Sequence, residues 1–230
     1  MNKIVNLPSP NYNDRPPGTK IDILVIHYTG MVGLTEALER LCDPANAVSA
    51  HYLIDRNGQI FQLISEEKRA WHAGVSSWRE TSNINNSSIG IELENPGHEF
   101  GYKKFPKPQI DSLVRIAKDI IIRHPIPARN IIGHSDVAPT RKKDPGELFD
   151  WRKLALSGIG YWPETPKSEG ITQINASNFE LALKKYGYDT TNLPATILAF
   201  QRHFLPNHCS NQPDLGMFRV LEMIINNLET

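Results

Sequence analysis

The segment HYLIDRNGQIFQLI, residues 51–64, restricts the fold more than any other part of this sequence. It contains two short runs rich in strand-forming residues, joined through Asn57 and Gly58. An Asn-Gly pair between such runs is typical of a tight turn, because both residues tolerate positive φ angles. The pattern therefore predicts an antiparallel β-hairpin, and the fold has to contain a sheet that includes it.

Further strands and helices are predicted on both sides of this hairpin. Runs with the length and the β-branched composition of buried strands occupy residues 21–29, 87–95 and 130–136, the last of which runs into a loop. Apolar residues recur at helical spacing in residues 34–42, 107–124 and 146–155. This order of elements predicts an α/β fold in which a mixed central β-sheet is flanked by helices.

The end of the sequence has a different, helical pattern. Apolar stripes at helical spacing occupy residues 177–187, 193–204 and 215–228. In the first stripe, Ser177 and Glu180 have the spacing of a capping box, and Gly187 ends the pattern. The residues before it, 157–173, are rich in Gly, Pro and Ser and lack periodicity. We predict three units: a first domain over residues 1–160, a linker over 161–176 and a small three-helix domain over 177–230.

The composition excludes several kinds of partner. The 25 Lys and Arg residues balance the 25 Asp and Glu residues, so no net field draws the protein to nucleic acid or to anionic lipid. No apolar run is long enough to span a membrane. The two cysteines, Cys42 and Cys209, are far apart and lack metal-type spacing, which predicts free, buried thiols. Binding specificity must therefore come from a defined site.

The N-terminal segment bears on where the protein acts. Residues 1–20 contain no apolar stretch of the kind that an export signal needs, about 7–15 residues long. As written, the sequence predicts a cytoplasmic protein. The alternative is the periplasm or cell envelope, if a signal was removed or export is unconventional.

Histidines and a carboxylate at predicted strand ends are candidate metal ligands. His27 and His134 each lie at the end of a predicted strand, and Asp144 follows after a short loop. Two neutral imidazoles and one carboxylate suit zinc, which takes three protein ligands in catalytic sites and keeps a fourth position for water. Spacing alone leaves other candidate ligands open, namely His51, His72, Glu92 and Glu94.

Six separated motifs carry a family resemblance. In chain order they are VIHYT, SAHYLIDRNGQI, RAWHAG, SIGIELEN, GHSDVAPTRKKDPG and FDW. In order and spacing they resemble the type 2 zinc-dependent N-acetylmuramoyl-L-alanine amidases of the AmpD/AmiD branch, over about residues 20–155. The resemblance implies a mixed central sheet flanked by helices, a fold shared with peptidoglycan recognition proteins, and it makes the first predicted domain the catalytic one.

The resemblance also implies the roles of five residues. One zinc ion per chain is expected on His27, His134 and Asp144. Glu92 is expected to be the catalytic acid and base, and Lys142 a catalytic cation that faces the reacting oxygens. On the residues themselves, Glu94 is the alternative to Glu92, because it lies on the same face of a strand, and Lys143 is the alternative to Lys142.

The segment RKKDPG, residues 141–146, suits the role that the resemblance gives to Asp144. A ligand needs a fixed side chain, and Pro145 and Gly146 end the loop sharply just after it. In an extended segment, Lys142 points to the same side as Asp144 because the two are separated by one residue.

The reaction implied is hydrolysis of the amide bond between N-acetylmuramic acid, including its 1,6-anhydro form, and L-alanine. The expected partner is peptidoglycan or a soluble muropeptide. The alternative is a module that binds peptidoglycan without cleaving it. Candidate substrate-binding residues are Trp71, His72 and His51, with a structural role as the alternative for the two histidines. The remaining histidines are expected at the surface or in packing, and they are His98, His124, His203 and His208.

The three C-terminal helical patterns resemble a peptidoglycan-binding module. This resemblance implies contact with the cell wall. Its alternative is a purely structural appendage, because any small helical bundle needs similar apolar stripes. The segment LPNHCSNQPDLG, residues 205–216, departs from the pattern of the module.

Overall fold

The computed structural model describes residues 3–164 and 173–228 of the chain. In these ranges the strands are β1 (Val5–Asn6), β2 (Tyr12–Asp14), β3 (Ile23–Tyr28), β4 (Tyr52–Ile54), β5 (Ile60–Gln62), β6 (Lys68–Ala70), β7 (Ser77–Trp78), β8 (Thr81–Ser82), β9 (Ser88–Leu93) and β10 (Ile131–Gly133). The helices are α1 (Leu34–Cys42), α2 (Lys107–Arg123), α3 (His134–Val137), α4 (Trp151–Leu156), α5 (Phe179–Tyr186), α6 (Leu193–Phe204) and α7 (Leu215–Leu228). Within the described residues, none of these helices combines the length and the apolar character needed to cross a membrane.

Six of the strands form one mixed sheet in the order β1-β5-β4-β9-β3-β10. Strands β4, β9, β3 and β10 run parallel to one another, while β5 is antiparallel to β4. The central strand β3 is apolar and buried from Ile23 to Ile26, as expected for a parallel strand covered on both faces. The predicted mixed central sheet flanked by helices is confirmed.

The predicted hairpin is present, with Ile54 of β4 opposite Ile60 of β5. Its turn places Gly58 at φ +84°, and the Gly58 N–H donates to the carbonyl of Asp55 at 3.0 Å. A Cβ atom at Gly58 would lie 2.5 Å from the carbonyl oxygen of Pro108 at the start of α2. Glycine is therefore needed at this position for the turn and for the close approach of the helix.

Local details differ from the sequence predictions at two helix starts. Helix α4 begins at Trp151 rather than at residue 146, because the Asp150 side chain accepts from the Lys153 N–H at 2.9 Å and caps the helix there. The predicted capping box does not form: α5 begins at Phe179, and the Ser177 hydroxyl donates instead to Asn175 Oδ1 at 2.7 Å. In both cases a nearby side chain competes for the backbone or the capping group.

The two cysteines are free, as predicted, but they are not buried. Cys42 is partly exposed at the end of α1, and Cys209 is exposed in the loop after α6. The prediction of buried thiols was therefore wrong.

The C-terminal helices share one apolar cluster with a face of the sheet. Val25 and Ile132 of the sheet belong to the same buried cluster as Leu183 of α5 and Phe200 of α6. Side chains that alternate with these along β3, such as Leu24, belong to the cluster that contains the apolar side of α2. The sheet is thus covered on both faces. The division into domains stays a prediction, and residues 165–172 of the predicted linker lie outside the described residues.

Glu66 ties the loop after β5 to the end of α2. Its Oε1 accepts from the Tyr52 hydroxyl and from Arg123 Nη2, both at 2.7 Å, and its Oε2 accepts from Arg123 Nε at 3.0 Å. His124 Nε2 lies 2.8 Å from Oε2. Burial alone would raise the pKa of Glu66, but the hydrogen bonds from Arg123, Tyr52 and His124 outweigh it and lower the pKa to about 2.

We expect Glu66→Gln to lower the free energy of unfolding at pH 7 by about 1–3 kcal/mol, because the buried Tyr52 hydroxyl and the more exposed Arg123 and His124 lose a charged acceptor. The pKa of Glu66 is lower in the folded state than its ordinary 4.5, so its contribution is present above about pH 4.5 and is lost as the pH falls towards 2. Urea unfolding at several pH values measures this. The difference between wild type and variant should shrink below pH 4.5.

The matched control for this measurement is Glu67→Gln. Glu67 is the exposed neighbour of Glu66, so its replacement should change the unfolding free energy little at any pH. A Glu66→Gln deficit that stayed constant into the acid range would contradict the assignment of the stabilisation to the ionised carboxylate.

Candidate active site

Three buried side chains meet at the carboxyl ends of β3 and β10. The Nδ1 atoms of His27 and His134 are 2.9 Å apart, and each lies 3.0 Å from Oδ2 of Asp144. His27 is the fifth residue of β3, and His134 directly follows β10, its parallel neighbour in the sheet. These three residues form a group that could hold a metal ion.

The segment that carries Asp144 is fixed on both sides. The Asp144 carbonyl accepts from the Ser135 N–H at 2.9 Å, which ties the segment to α3. Just after it, Gly146 has φ +82°, and a Cβ atom there would collide with the Tyr102 hydroxyl. That hydroxyl donates to the Pro145 carbonyl at 2.5 Å. The turn after Asp144 therefore has a fixed backbone, and one of its positions accepts only glycine.

Hydrogen bonds to the outer ring nitrogens decide which nitrogen of each histidine faces the group. His134 Nε2 lies 3.1 Å from the carbonyl oxygen of Ala73, which can only accept, so Nε2 carries a proton. His27 Nε2 lies 3.0 Å from His72 Nδ1, and His72 Nε2 lies 3.1 Å from the Ser88 hydroxyl. We assign the protons as donated outwards along this chain, from His27 to His72 and from His72 to Ser88.

Burial supports this assignment. It lowers the pKa of His27 to about 4, with a further contribution from His134, and it lowers the pKa of His72 well below the usual value. Both rings are therefore neutral at pH 7. With its outer nitrogen protonated, the inner nitrogen of His27 presents a lone pair towards the carboxylate of Asp144.

Glu92 lies opposite His27 in the register of β3 and β9. Within the described part of the chain, its Oε2 atom is buried without a hydrogen-bond partner. Burial and the nearby Asp144 raise the pKa of Glu92 well above the usual value, and the Lys142 ammonium opposes them. The alternative, Glu94, accepts from the Arg56 N–H at 2.9 Å. The structure thus brings Glu92, and not Glu94, to the group.

A cavity of about 550 Å³ opens over the group. Of the residues singled out in the sequence, those that line it are His72, Glu92, His134, Lys142, Lys143 and Asp144. Lys142 is half-buried and its charge acts on Glu92 and His27, whereas Lys143 is exposed. This geometry favours Lys142 as the cation of the site.

Two predicted substrate-binding residues lie elsewhere. Among the described residues, the lining of this cavity includes neither Trp71 nor His51. The Trp71 indole N–H donates to Asn13 Oδ1 at 2.9 Å, and His51 is buried with Nδ1 accepting from the Gly90 N–H at 3.0 Å. The structure therefore brings only His72 of the three to the cavity.

Several residues of the cavity wall were not predicted from the sequence. Tyr28, Phe100 and Arg141 line it, and so does His98, which was expected at the surface or in packing. His98 Nδ1 lies 2.8 Å from the Tyr28 hydroxyl. Tyr28 directly follows His27 in the motif VIHYT, so its position in the sequence could have indicated that it lies near the site. No neighbouring residue or motif indicates the same for His98.

A mixed sheet that carries a buried His-His-Asp group beside a cavity, with a carboxylate and a cation next to it, is the arrangement of a hydrolase whose site could hold a metal ion. Comparison with known proteins identifies which one. The sequence model of one family, described as N-acetylmuramoyl-L-alanine amidase, matches residues 17–147. The chain belongs to this family.

Individual relatives agree with this assignment. The chain is 37% identical over 231 residues to N-acetylmuramoyl-L-alanine amidase AmiD of Escherichia coli (strain K12), covering 90% of this chain and 83% of AmiD. It is 37% identical over 167 residues to 1,6-anhydro-N-acetylmuramyl-L-alanine amidase AmpD of Enterobacter cloacae, covering 65% of this chain and 87% of AmpD. The likeness to AmiD therefore extends into the C-terminal helices.

A solved structure supports the same likeness in three dimensions. It is the complex of AmiD from E. coli with the substrate anhydro-N-acetylmuramic acid-L-Ala-D-gamma-Glu-L-Lys. Its TM-score with this chain is 0.81 at 34% identity, and the match covers 93% of this chain and 92% of that chain. The whole fold, and not only the sheet, is thus shared with AmiD.

Proposed function

We propose that this protein is a zinc-dependent amidase that hydrolyses the bond between N-acetylmuramic acid, including its 1,6-anhydro form, and L-alanine. The observation that carries the proposal is the placement of Glu92 beside the His27, His134 and Asp144 group, with its Oε2 atom buried and, among the described residues, without a hydrogen-bond partner. The relatives support the substrate, since AmiD was solved with an anhydro-N-acetylmuramic acid peptide.

The donor set fits zinc. Two imidazole nitrogens and one carboxylate oxygen supply the three protein ligands of a catalytic zinc site. With zinc bonds of about 2.0–2.1 Å, the ligand atoms of a tetrahedral shell lie about 3.3 Å apart. The observed separations among His27, His134 and Asp144 are 2.9–3.0 Å. His27 Nδ1 and Asp144 Oδ2 are both acceptors in the proton assignment above, and a cation between them would remove their repulsion.

The protein groups around the zinc site have separate tasks. Zinc, when bound, polarises the scissile carbonyl and makes the attacking water more acidic. Glu92 accepts a proton from that water at Oε2 and passes it to the nitrogen that leaves with L-alanine. The ammonium of Lys142 stabilises the negative charge that develops on the carbonyl oxygen. Water is consumed, and a muramic acid carboxylate and a free peptide amine are released.

His72 positions His27 in this scheme. Its Nδ1 accepts the hydrogen bond from the outer N–H of His27 and so fixes the orientation of that ring. Its ring packs directly on β9, where a Cβ atom at Gly90 would lie 2.5 Å from His72 Cγ. The buried amide of Asn85 accepts from the backbone N–H groups of His72 and Ala73, at 3.2 and 2.8 Å. One short loop thus holds the outer nitrogens of both histidine ligands.

The proposal is tested with purified protein loaded with one equivalent of zinc. It is incubated with an anhydro-muropeptide and, in parallel, with intact peptidoglycan, and released peptides are identified by mass spectrometry. We expect peptides that begin with L-alanine, no release after chelation, and recovery when zinc is returned. Tight binding of zinc and peptidoglycan without any release would instead favour the binding module. The rates of peptide release from the anhydro-muropeptide and from intact peptidoglycan, measured in parallel, show which substrate the enzyme prefers.

A further inference from the structure

A buried carboxylate links the metal site to the C-terminal helices. Asp136 lies on α3, two residues after His134, and is 1% exposed. Its Oδ1 accepts from the Tyr188 hydroxyl at 2.7 Å. Its Oδ2 accepts from the Gly133 N–H at 2.7 Å and from His203 Nδ1 at 2.8 Å. Two of the three donors therefore come from the C-terminal part of the chain.

The bond to Gly133 gives Asp136 control over the direction of His134. Gly133 is the last residue of β10, and His134 is the first of α3, a helix of only four residues. So short a helix has little stability of its own. The Asp136 carboxylate holds the Gly133 N–H and so fixes the turn from strand to helix on which His134 lies. That turn decides where the His134 imidazole points.

The two C-terminal donors are themselves held in place by packing against the first part of the chain. The His203 ring stacks on Trp151 of α4, with ring centres 4.0 Å apart and planes within 11°. The Tyr188 ring meets the edge of Trp78 of β7 at 5.0 Å. Tyr188 and His203 are each only 3% exposed. Because a buried carboxylate that loses donors is costly, the position of Asp136 depends on these two side chains.

We propose that Tyr188 and His203 are positioning residues of the metal centre, acting through Asp136 on His134. The C-terminal helices are then part of the catalytic unit, in addition to any contact they make with the cell wall. This inference rests on the proposed zinc amidase function and goes beyond it. A role in wall binding alone would affect the cleavage of intact peptidoglycan but not of a small soluble muropeptide.

The test uses full-length Tyr188→Phe and His203→Leu variants, which each remove one donor to Asp136. The zinc dissociation constant is measured by competition with a chelating dye, and kcat and KM are measured on a soluble anhydro-muropeptide. We expect each variant to raise the zinc dissociation constant by up to about 10-fold, less than the about 10–100-fold that follows loss of a direct partner of a ligating histidine, because Asp136 acts on His134 through the Gly133 N–H. We expect kcat to fall while KM stays within about twofold, because the substrate contacts are unchanged.

Two further variants separate positioning from general stability. Tyr186→Phe removes a hydroxyl in the same apolar cluster, but in the described part of the chain Asp136 receives no hydrogen bond from Tyr186. It should leave zinc affinity and kcat at wild-type values. His203→Asn places an amide N–H near the position of Nδ1, and it should recover most of what His203→Leu loses.

Four outcomes would overturn the proposal. They are unchanged zinc affinity in Tyr188→Phe, an equal loss in Tyr186→Phe, no recovery in His203→Asn, and a loss confined to intact peptidoglycan. If His203→Leu does not fold, Tyr188→Phe decides alone, since it removes only a hydroxyl. The wild-type arm tests the proposed function separately: wild-type protein that binds no zinc and cleaves no substrate would refute the amidase function, and the positioning role with it.

Discussion

His134→Ala is expected to abolish zinc binding and amidase activity together. The substitution removes one of three atoms that lie within 3.0 Å of one another, and the two remaining ligands cannot hold a catalytic zinc. Loss of an outer-shell partner typically costs about 10–100-fold in metal affinity, so loss of a ligand should cost more than about 100-fold. Zinc content after gel filtration and kcat/KM on an anhydro-muropeptide measure the two effects.

His98→Ala is the matched control for this experiment. His98 is in the wall of the same cavity, but it is bonded to Tyr28 and Glu147 and is not part of the ligand group. We expect this variant to keep one zinc per chain. If His134→Ala kept an equally tight zinc, the set of ligands proposed here would be wrong, whatever remained of the activity.

Periodicity and turn chemistry were enough to predict five of the six strands of the main sheet, and the two-residue strand β1 was not predicted. The strands that carry the site are short apolar segments whose side chains have no stable position except between two covering layers. The turn at Gly58 is equally local, since its positive φ and the closeness of Pro108 leave no alternative residue. Elements specified by neighbouring residues could therefore be located, to within a few residues, without a structure.

The ligand group could not be chosen from spacing alone. His72 and His51 stayed open as ligands in the sequence, and both are buried: the His72 ring contacts His27, and the His51 ring contacts His72. The structure separates the roles by ring orientation: His72 meets the outer nitrogen of His27, and His51 bonds to the backbone of Gly90. No sequence pattern encodes which nitrogen of an imidazole faces inwards. The choice of His27, His134 and Asp144 as the ligands came from the family resemblance and not from their spacing.

Contacts between segments far apart in the chain could not be predicted from the sequence. His203 was expected at the surface or in packing, yet it donates to Asp136, 67 positions earlier in the chain. His98 was expected at the surface or in packing, yet it lines the cavity and contacts Tyr28, 70 positions earlier. Such pairs form only after the layers have packed, so they leave no local periodicity or motif. They are also the contacts that connect the C-terminal helices and the loops to the site.

Glu92→Gln is expected to keep zinc while lowering kcat by about 10²–10⁴-fold. Glutamine has nearly the same shape but cannot accept the proton of the attacking water. The Oε2 atom of Glu92 is buried without a partner within the described residues, so no hydrogen bond of the fold is lost. The variant should therefore be at least as stable as wild type, because a buried, unpaired carboxylate is costly. Thermal unfolding, zinc content and single-turnover kinetics measure the three properties.

Glu94→Gln is the matched control, because Glu94 directly follows the end of β9, two residues after Glu92, and accepts from the Arg56 N–H. It should keep turnover close to wild type. The combination that identifies Glu92 as the base is specific: full zinc, unchanged or higher stability, and a turnover defect that Glu94→Gln does not share. Sites that use a group for chemistry often leave it without hydrogen bonds in the fold, and among the described residues Glu92 Oε2 is such an atom beside the ligand group. If Glu92→Gln turned over substrate at the wild-type rate, Glu92 would not be the base, and another residue of the cavity wall would have to accept the proton.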